Sequence, residues 1–175
     1  MHRALAAATA LLLLLASGCG STKTVTRTVT VSTTSAQNQL APPNEQTQFG
    51  YIRKLMKNGD GYTMRFDPAL LLTGVTANTA AAEDGAVPPG EPVPNDNYRL
   101  NETHRLLTYL VPPTARVKVL TKNGGSLRET TIDVAELYKI VNGRSSVKLF
   151  EPLATGVWLR IHIDTVRSIA QQYQP

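Results

Sequence analysis

The sequence predicts an α+β domain built mainly from antiparallel β-sheet, barrel-like or strongly curved, with about six to eight strands and two or three short helices. Three observations lead to this prediction. Apolar and polar residues alternate in many short segments, turn residues separate these segments, and convincing helix signals are few. A composition of 42% hydrophobic and 18% charged residues fits one such domain with an additional N-terminal segment.

The N-terminal segment has the pattern of an export signal. A short cationic start that includes Arg3 precedes Ala4–Ala16, which is apolar throughout except for Thr9. A helix of that length spans about 20 Å, which is less than the hydrocarbon thickness of a bilayer. Residues 1–18 are therefore predicted to be a signal peptide with a helical core.

A single cysteine follows this signal. The run Leu15-Ala16-Ser17-Gly18-Cys19-Gly20 resembles the lipobox of bacterial lipoproteins, with Ala16 at the place where that family usually has leucine. The resemblance implies that the thiol of Cys19 carries a diacyl group, with palmitate-type chains, and that Cys19 becomes the new N-terminus. Since the chain has no second cysteine to form an internal disulfide, lipidation also accounts for this thiol.

Residues 19–47 are predicted to form a disordered linker. Thr, Ser, Gln, Asn and Pro dominate it, and such a composition buries too little apolar surface to offset the entropy of ordering. The alternating tract 24–31 leaves an edge strand open as a second interpretation, because Thr and Val favour extended backbone. Residues 48–175 then form a single domain with 15 Lys and Arg against 12 Asp and Glu.

The domain is predicted to begin with a β-hairpin. Phe49, Tyr51 and Leu55 alternate with charged or small residues, and the same pattern returns after a turn at Asn58-Gly59. Tyr62, Met64 and Phe66 alternate along the second arm. Asp67-Pro68 has the form of a helix start, so we expect a short helix over Ala69–Leu72. An alanine-rich helix over Val75–Asp84 and a proline-rich loop over Ala86–Pro94 follow.

Further strands and one more helix follow this loop. Asp133 and Glu136 form a capping-box pattern, apolar residues recur at helical spacing after Asp133, and Gly143 ends the segment. Val157–Tyr173 is predicted to form a hairpin that turns at Asp164-Thr165, although its last arm also fits a terminal helix. The remaining strands are predicted over Tyr98–Leu100, Leu106–Val111, Ala115–Leu120, Leu127–Ile132 and, as a short piece, Val147–Phe150.

Several short motifs in this domain resemble an uncharacterised extracytoplasmic domain of lipoproteins from Gram-positive bacteria. The motifs are Phe66-Asp67-Pro68-Ala69, Leu72-Thr73-Gly74, Val93-Pro94-Asn95-Asp96 with Tyr98 and Asn101, Trp158, and Gln172-Tyr173-Gln174-Pro175. The resemblance implies no activity. It implies that the C-terminal segment pairs as a strand.

Few residues of the domain are suited to catalysis. Outside the signal only two histidines are present, His104 and His162, and no serine lies in a nucleophile elbow. No phosphate-binding loop, paired-cysteine site or EF-hand spacing occurs, so we expect no cofactor and no metal. An envelope-acting hydrolase or transferase that uses Asp67, Asp96 or His162 is the alternative, and it requires these groups to converge in one pocket.

Two sets of polar residues are candidates for ligand binding. Short amides and a carboxylate lie beside an aromatic ring in Asn95, Asp96, Asn97, Tyr98 and Asn101, a combination that glycan and peptide sites use. Arg160, His162 and Asp164 share one face of a strand by the period of two. Asx-turns for the first set and an ordinary solvated face for the second are the structural alternatives.

These features predict a lipid-anchored protein on the extracytoplasmic face of the cell membrane. Its domain is expected to be a non-catalytic binding or interaction module for a cell-wall polymer, a small ligand or an envelope protein. A purely structural scaffold is the third possibility. The scattered basic residues do not suggest nucleic acid as a partner.

Overall fold

The computed structural model describes residues 44–102 and 105–174. The predicted signal peptide, Cys19 and most of the predicted linker lie outside this part of the chain, as does His104. The described residues form a curved, barrel-like sheet of eight strands with two α-helices, which confirms the predicted fold class. None of the helices within the described ranges is long and apolar enough to cross a membrane.

The elements follow one another closely along the chain. In order they are β1 (Glu45–Asn58), β2 (Gly61–Thr73), α1 (Gly74–Glu83), β3 (Asn97–Leu100), β4 (Leu107–Val111), β5 (Arg116–Asn123), β6 (Ser126–Ile132), α2 (Val134–Val141), β7 (Val157–His162) and β8 (Thr165–Gln171). Two short 3-10 turns, Pro94–Asp96 and Leu153–Thr155, precede β3 and β7.

The sheet has the strand order β3-β2-β1-β7-β8-β5-β6. Strand β4 closes it, because β4 pairs antiparallel with β2 and parallel with β8. Strand β2 is long enough to pair with β4 over its first half and with β3 over its second half. Strand β2 therefore connects the closed part of the sheet to the extension that carries β3 and α1.

The main core fills the inside of the curved sheet. It contains the inward side chains of β1, β2, β5, β7 and β8 together with two residues of α2, Val134 and Leu137, which are fully buried. A second, smaller cluster lies where α1 packs on the extension. Its buried members are Ala77, Ala81 and Val93.

Most of the locally predicted elements are present. The β1–β2 hairpin is confirmed, although it turns one residue later than predicted, through Gly59-Asp60, with Asn58 opposite Gly61. Helix α2 begins at the predicted cap, where the Asp133 carboxylate accepts a hydrogen bond from the Glu136 backbone N–H at 2.6 Å. The strand interpretation of the C-terminal segment is confirmed by the β7–β8 hairpin.

The helix predicted after Asp67-Pro68 is wrong, because β2 continues through this region to Thr73. Leu70 to Thr73 pair with β3, so long-range strand pairing overrides the local helix signal. Proline is tolerated here because β3 ends at Leu100, opposite Leu70, and β4 begins at Leu107, opposite Phe66, which leaves no ladder partner on that side of β2 at Pro68.

Three other predictions are corrected. The linker was predicted to extend to Thr47, but β1 begins at Glu45 because β7 offers these residues a ladder, with Glu45 opposite His162. The predicted strand over Val147–Phe150 is reduced to one bridge between Thr121 and Leu149. The C-terminal hairpin turns one residue earlier than predicted, through Ile163-Asp164.

Gly50 lies where β1 packs too closely against β2 to leave room for a side chain. A Cβ atom at this position would overlap the backbone carbonyl oxygen of Asp67 and the ring of Phe66. The backbone of Gly50 is not in the left-handed region, so the requirement for glycine is purely steric. The fully buried ring of Phe66 packs in the space that a side chain would otherwise occupy.

Gly50→Ala is therefore expected to lower the free energy of unfolding by about 3 kcal/mol, because neither the carbonyl nor the buried ring has room to move. Gly61→Ala is the matched control. Its added methyl would lie 3.3 Å from the Val111 carbonyl oxygen, and a loss of about 1 kcal/mol or less is expected. Urea unfolding of both variants gives the comparison, and equal losses would contradict the steric explanation.

Candidate functional site

A β-bulge in β1 places Arg53 on the outer face of the sheet. The β1–β2 register steps from Ile52 opposite Phe66 to Lys54 opposite Arg65, which leaves Arg53 as the extra residue. Because of this shift Leu55 points into the core, whereas Phe49 and Tyr51 lie on the opposite, outer face. The regular alternation predicted from Phe49 through Leu55 is therefore wrong at Arg53.

Asp67 of β2 also lies on this outer face, directly opposite Tyr51. Its side chain is only 2% exposed. One carboxylate oxygen, Oδ2, accepts hydrogen bonds from Arg53 Nε at 2.9 Å and from Arg53 Nη2 at 2.6 Å. The same oxygen accepts a third hydrogen bond from Asn101 Nδ2 at 3.2 Å. A buried charge is thus paired with a guanidinium whose side chain is 51% exposed.

Two buried oxygen atoms beside this ion pair accept no hydrogen bond. They are Asp67 Oδ1 and Asn101 Oδ1, the only buried side-chain polar atoms without a partner in the part of the chain that the structure describes. A buried acceptor without a donor costs on the order of 1–3 kcal/mol. The site therefore has two free acceptors on adjacent side chains, and a ligand that donates hydrogen bonds would recover this cost.

Three aromatic side chains form a row beside Asp67 on the outer face. Phe49 is buried at the centre of the row, with its ring centroid 5.9 Å from that of Tyr51 and 5.2 Å from that of Trp158. Tyr51 and Trp158 are half-buried and accessible from outside. Gly156 packs against the Phe49 ring so closely that a Cβ atom would overlap it. The loop before β7 therefore covers the centre of the row and leaves its two ends accessible.

Two arginines, Arg53 and Arg99, lie beside this row. The Arg53 guanidinium lies over the Tyr51 ring, 5.1 Å from its centroid, and so contacts an aromatic face and a carboxylate at once. Arg99 of β3 donates to the Thr155 carbonyl oxygen at 3.3 Å. Together the outer-face site consists of Tyr51, Arg53, Asp67, Arg99, Asn101 and Trp158.

The predicted cluster 95–101 is divided by the structure. Asn101 joins the outer-face site, whereas Tyr98 faces α1 and donates a hydrogen bond to the Asp84 carboxylate at 2.8 Å. This hydrogen bond, with a smaller contribution from burial, raises the pKa of Tyr98. Asn95 and Asp96 have positive φ in the turn before β3, and Asn97 Nδ2 donates to the Asn95 carbonyl oxygen at 2.8 Å. These three residues shape the turn.

Two of the three residues of the second predicted set, Arg160 and His162, lie on the outer face of β7, whereas Asp164 lies in the turn after the strand and does not share that face. Arg160 and His162 share that face with Trp158, as the period of two predicted. Arg160 Nη2 forms an ion pair with Glu45 Oε2 at 2.7 Å. Among the described residues no group of three or more His, Cys, Asp or Glu side chains is placed to hold a metal ion.

The three residues of the enzymatic alternative do not converge. Asp67 lies opposite Tyr51 and His162 lies opposite Glu45, so β1 separates them by six positions, or about 20 Å. Asp96 immediately precedes Asn97, which pairs with Thr73, again six positions along β2 from Asp67. The distances exceed hydrogen-bond reach several times over.

Sequence reasoning did not identify Tyr51 or Arg53 as site residues. Tyr51 and Arg53 follow an ordinary strand pattern, whereas Arg99 lies within the predicted cluster. The available signal was the charged pair Arg53-Lys54, which interrupts the alternation between Ile52 and Leu55 and is typical of a bulge.

Two surface depressions lie elsewhere on the described part of the chain. One of about 390 Å³ lies on the β5–β6 hairpin and one of about 250 Å³ lies beside Tyr62 and Pro112. In the first, the Thr121 and Thr130 hydroxyls hydrogen-bond to each other at 2.6 Å. Neither depression is lined by Asp67 or Asn101, so the outer-face site is singled out by its chemistry and not by its depth.

Comparisons of the chain with protein-family models, with curated proteins and with solved structures found no match. The chemistry of the outer-face site therefore has to be interpreted from its own residues.

Proposed function

We propose that this protein is a bacterial lipoprotein whose domain binds a component of the cell envelope without catalysing a reaction. In this proposal acyl chains on Cys19 hold it on the extracytoplasmic face of the cell membrane. The lipobox-like run that ends at Cys19 and the export signal before it support the anchor. Two or more acyl chains are enough for stable membrane attachment.

The outer-face site supports the binding role, and one observation carries the argument. Asp67 is buried, its charge is paired with Arg53, and yet one of its oxygens lacks a hydrogen-bond donor next to a second such oxygen on Asn101. A carboxylate held in this way acts as a fixed acceptor. Half-buried Tyr51 and Trp158 supply flat apolar surface at the same place, as binding sites for polymers and small ligands commonly do.

Cys19→Ser is expected to abolish acylation and to prevent maturation at residue 19, because serine has no thiol to carry the diacyl group. Mass spectrometry of the N-terminal peptide and fractionation of cells measure both effects. Ser32→Ala, in the predicted linker, is the control and is expected to behave as the unchanged chain. A Cys19→Ser protein of mature size that stays in the membrane fraction would contradict the lipid anchor, whereas retention in unprocessed form shows the signal acting as a temporary tether.

Tyr51→Ala is expected to weaken binding to the cell envelope about tenfold, because it removes one of the two accessible aromatic rings of the outer-face site. The measurement is co-sedimentation of the full-length, detergent-solubilised protein with insoluble cell-wall material from Gram-positive bacteria. Tyr173→Ala removes a more exposed aromatic side chain near the C-terminus and is the control. Equal binding by both variants would exclude the outer-face site as the binding surface.

A further inference from the structure

The unpartnered oxygens of the outer-face site define the kind of group that it accepts. Asp67 Oδ1 and Asn101 Oδ1 are both acceptors, and their side chains are joined by the 3.2 Å hydrogen bond from Asn101 Nδ2 to Asp67 Oδ2. A complementary ligand therefore presents hydrogen-bond donors, and two donors on adjacent atoms match two neighbouring acceptors. Hydroxyl groups, amide N–H groups and ammonium groups all meet this requirement.

The charge balance of the site selects among these donors. The Asp67 carboxylate is already neutralised by Arg53, and Arg99 contributes a second guanidinium to the outer-face site. A cationic ligand would leave an uncompensated positive charge beside two guanidinium groups. A calcium ion would need six to eight oxygen ligands, of which these side chains offer two. The balance favours a neutral donor.

The aromatic side chains of the site narrow the class of ligand further. Tyr51 is half-buried with one face near the Arg53 guanidinium, and half-buried Trp158 lies on the other side of Phe49. Flat rings beside acceptors and guanidinium donors suit a sugar, since its hydroxyls need both donors and acceptors and its C–H faces pack on aromatic rings. A short peptide offers amide donors but lacks adjacent hydroxyl pairs.

We propose that the outer-face site binds a neutral, hydroxyl-rich saccharide through hydrogen bonds to Asp67 Oδ1 and Asn101 Oδ1 and through contact with Tyr51. This inference rests on the proposed binding function and narrows it to one class of ligand. Both oxygens are buried, so the surrounding side chains have to rearrange locally before the sugar reaches them. We therefore expect weak binding, with a Kd of about 1 mM for a trisaccharide.

Trp158 provides the measurement, because it is the only tryptophan in the chain and lies in the site itself. Its fluorescence is followed while the full-length protein in detergent is titrated with maltotriose, chitotriose, trigalacturonic acid or triglycine. The first two probes are neutral sugars, the third is a sugar of the same size with three negative charges, and the fourth is a peptide. We expect a saturable fluorescence change with a neutral sugar, with a Kd at least tenfold lower than for trigalacturonic acid or triglycine.

Variants connect the signal to the proposed contacts. Asn101→Ala removes one acceptor and Tyr51→Ala removes the stacking surface, and each is expected to raise the Kd at least tenfold. Tyr51→Phe retains the ring and is expected to bind within about twofold of the unchanged chain, as is the control Tyr173→Ala. Thermal unfolding shows whether Asn101→Ala is folded. If it is not, the comparison of Tyr51→Ala with Tyr51→Phe provides the test.

The failures of the two proposals are distinguishable. Tighter binding of trigalacturonic acid or triglycine, or no response to any sugar, would overturn the saccharide assignment. If cell-wall co-sedimentation still depends on Tyr51 in that case, the outer-face site remains the binding surface for another class of ligand. If neither sugar binding nor co-sedimentation responds to Tyr51→Ala, both proposals are wrong.

Discussion

The buried carboxylate of Asp67 is the main constraint on the outer face of the sheet, because the residues around it have to pair with it. An ionised side chain that is 2% exposed is stable only if it is paired and hydrogen-bonded. The bulge in β1 supplies the pair by turning Arg53 toward it, and the end of β3 supplies Asn101. Two segments from elsewhere in the chain therefore converge on one oxygen of this carboxylate and leave its other oxygen unpartnered.

The same region depends on close contact between backbone and aromatic rings. Phe66 packs on the inner side of β1 at Gly50, and Phe49 packs on the outer side against Gly156. A side chain at Gly50 would displace the Phe66 ring, and a side chain at Gly156 would displace the Phe49 ring. Both faces of the sheet are therefore closely packed next to Asp67. This packing holds Tyr51 and Trp158 in one row, which is the surface that the proposed ligand uses.

The correct predictions of secondary structure come from sequence patterns whose causes are local. The hairpin turn at Gly59 and the cap at Asp133 each depend on neighbours within a few residues. The wrong predictions have distant causes. The helix expected after Pro68 is replaced by pairing with β3, and the bulge at Arg53 is stabilised by a carboxylate fourteen residues away. Asn101 was a candidate from composition alone, but its pairing with Asp67 follows from the way β2 and β3 bring them together.

The importance of the Arg53–Asp67 ion pair is tested most directly by a double-mutant cycle of unfolding free energies with Arg53→Ala, Asp67→Ala and the double variant. The burial of Asp67 predicts a coupling energy of about 1.5–3 kcal/mol. The exposed pair Lys118–Glu129, joined at 2.7 Å, serves as the reference and is expected to show less than about 1 kcal/mol. A coupling for Arg53 and Asp67 no larger than that of the exposed pair would contradict the central role of this carboxylate.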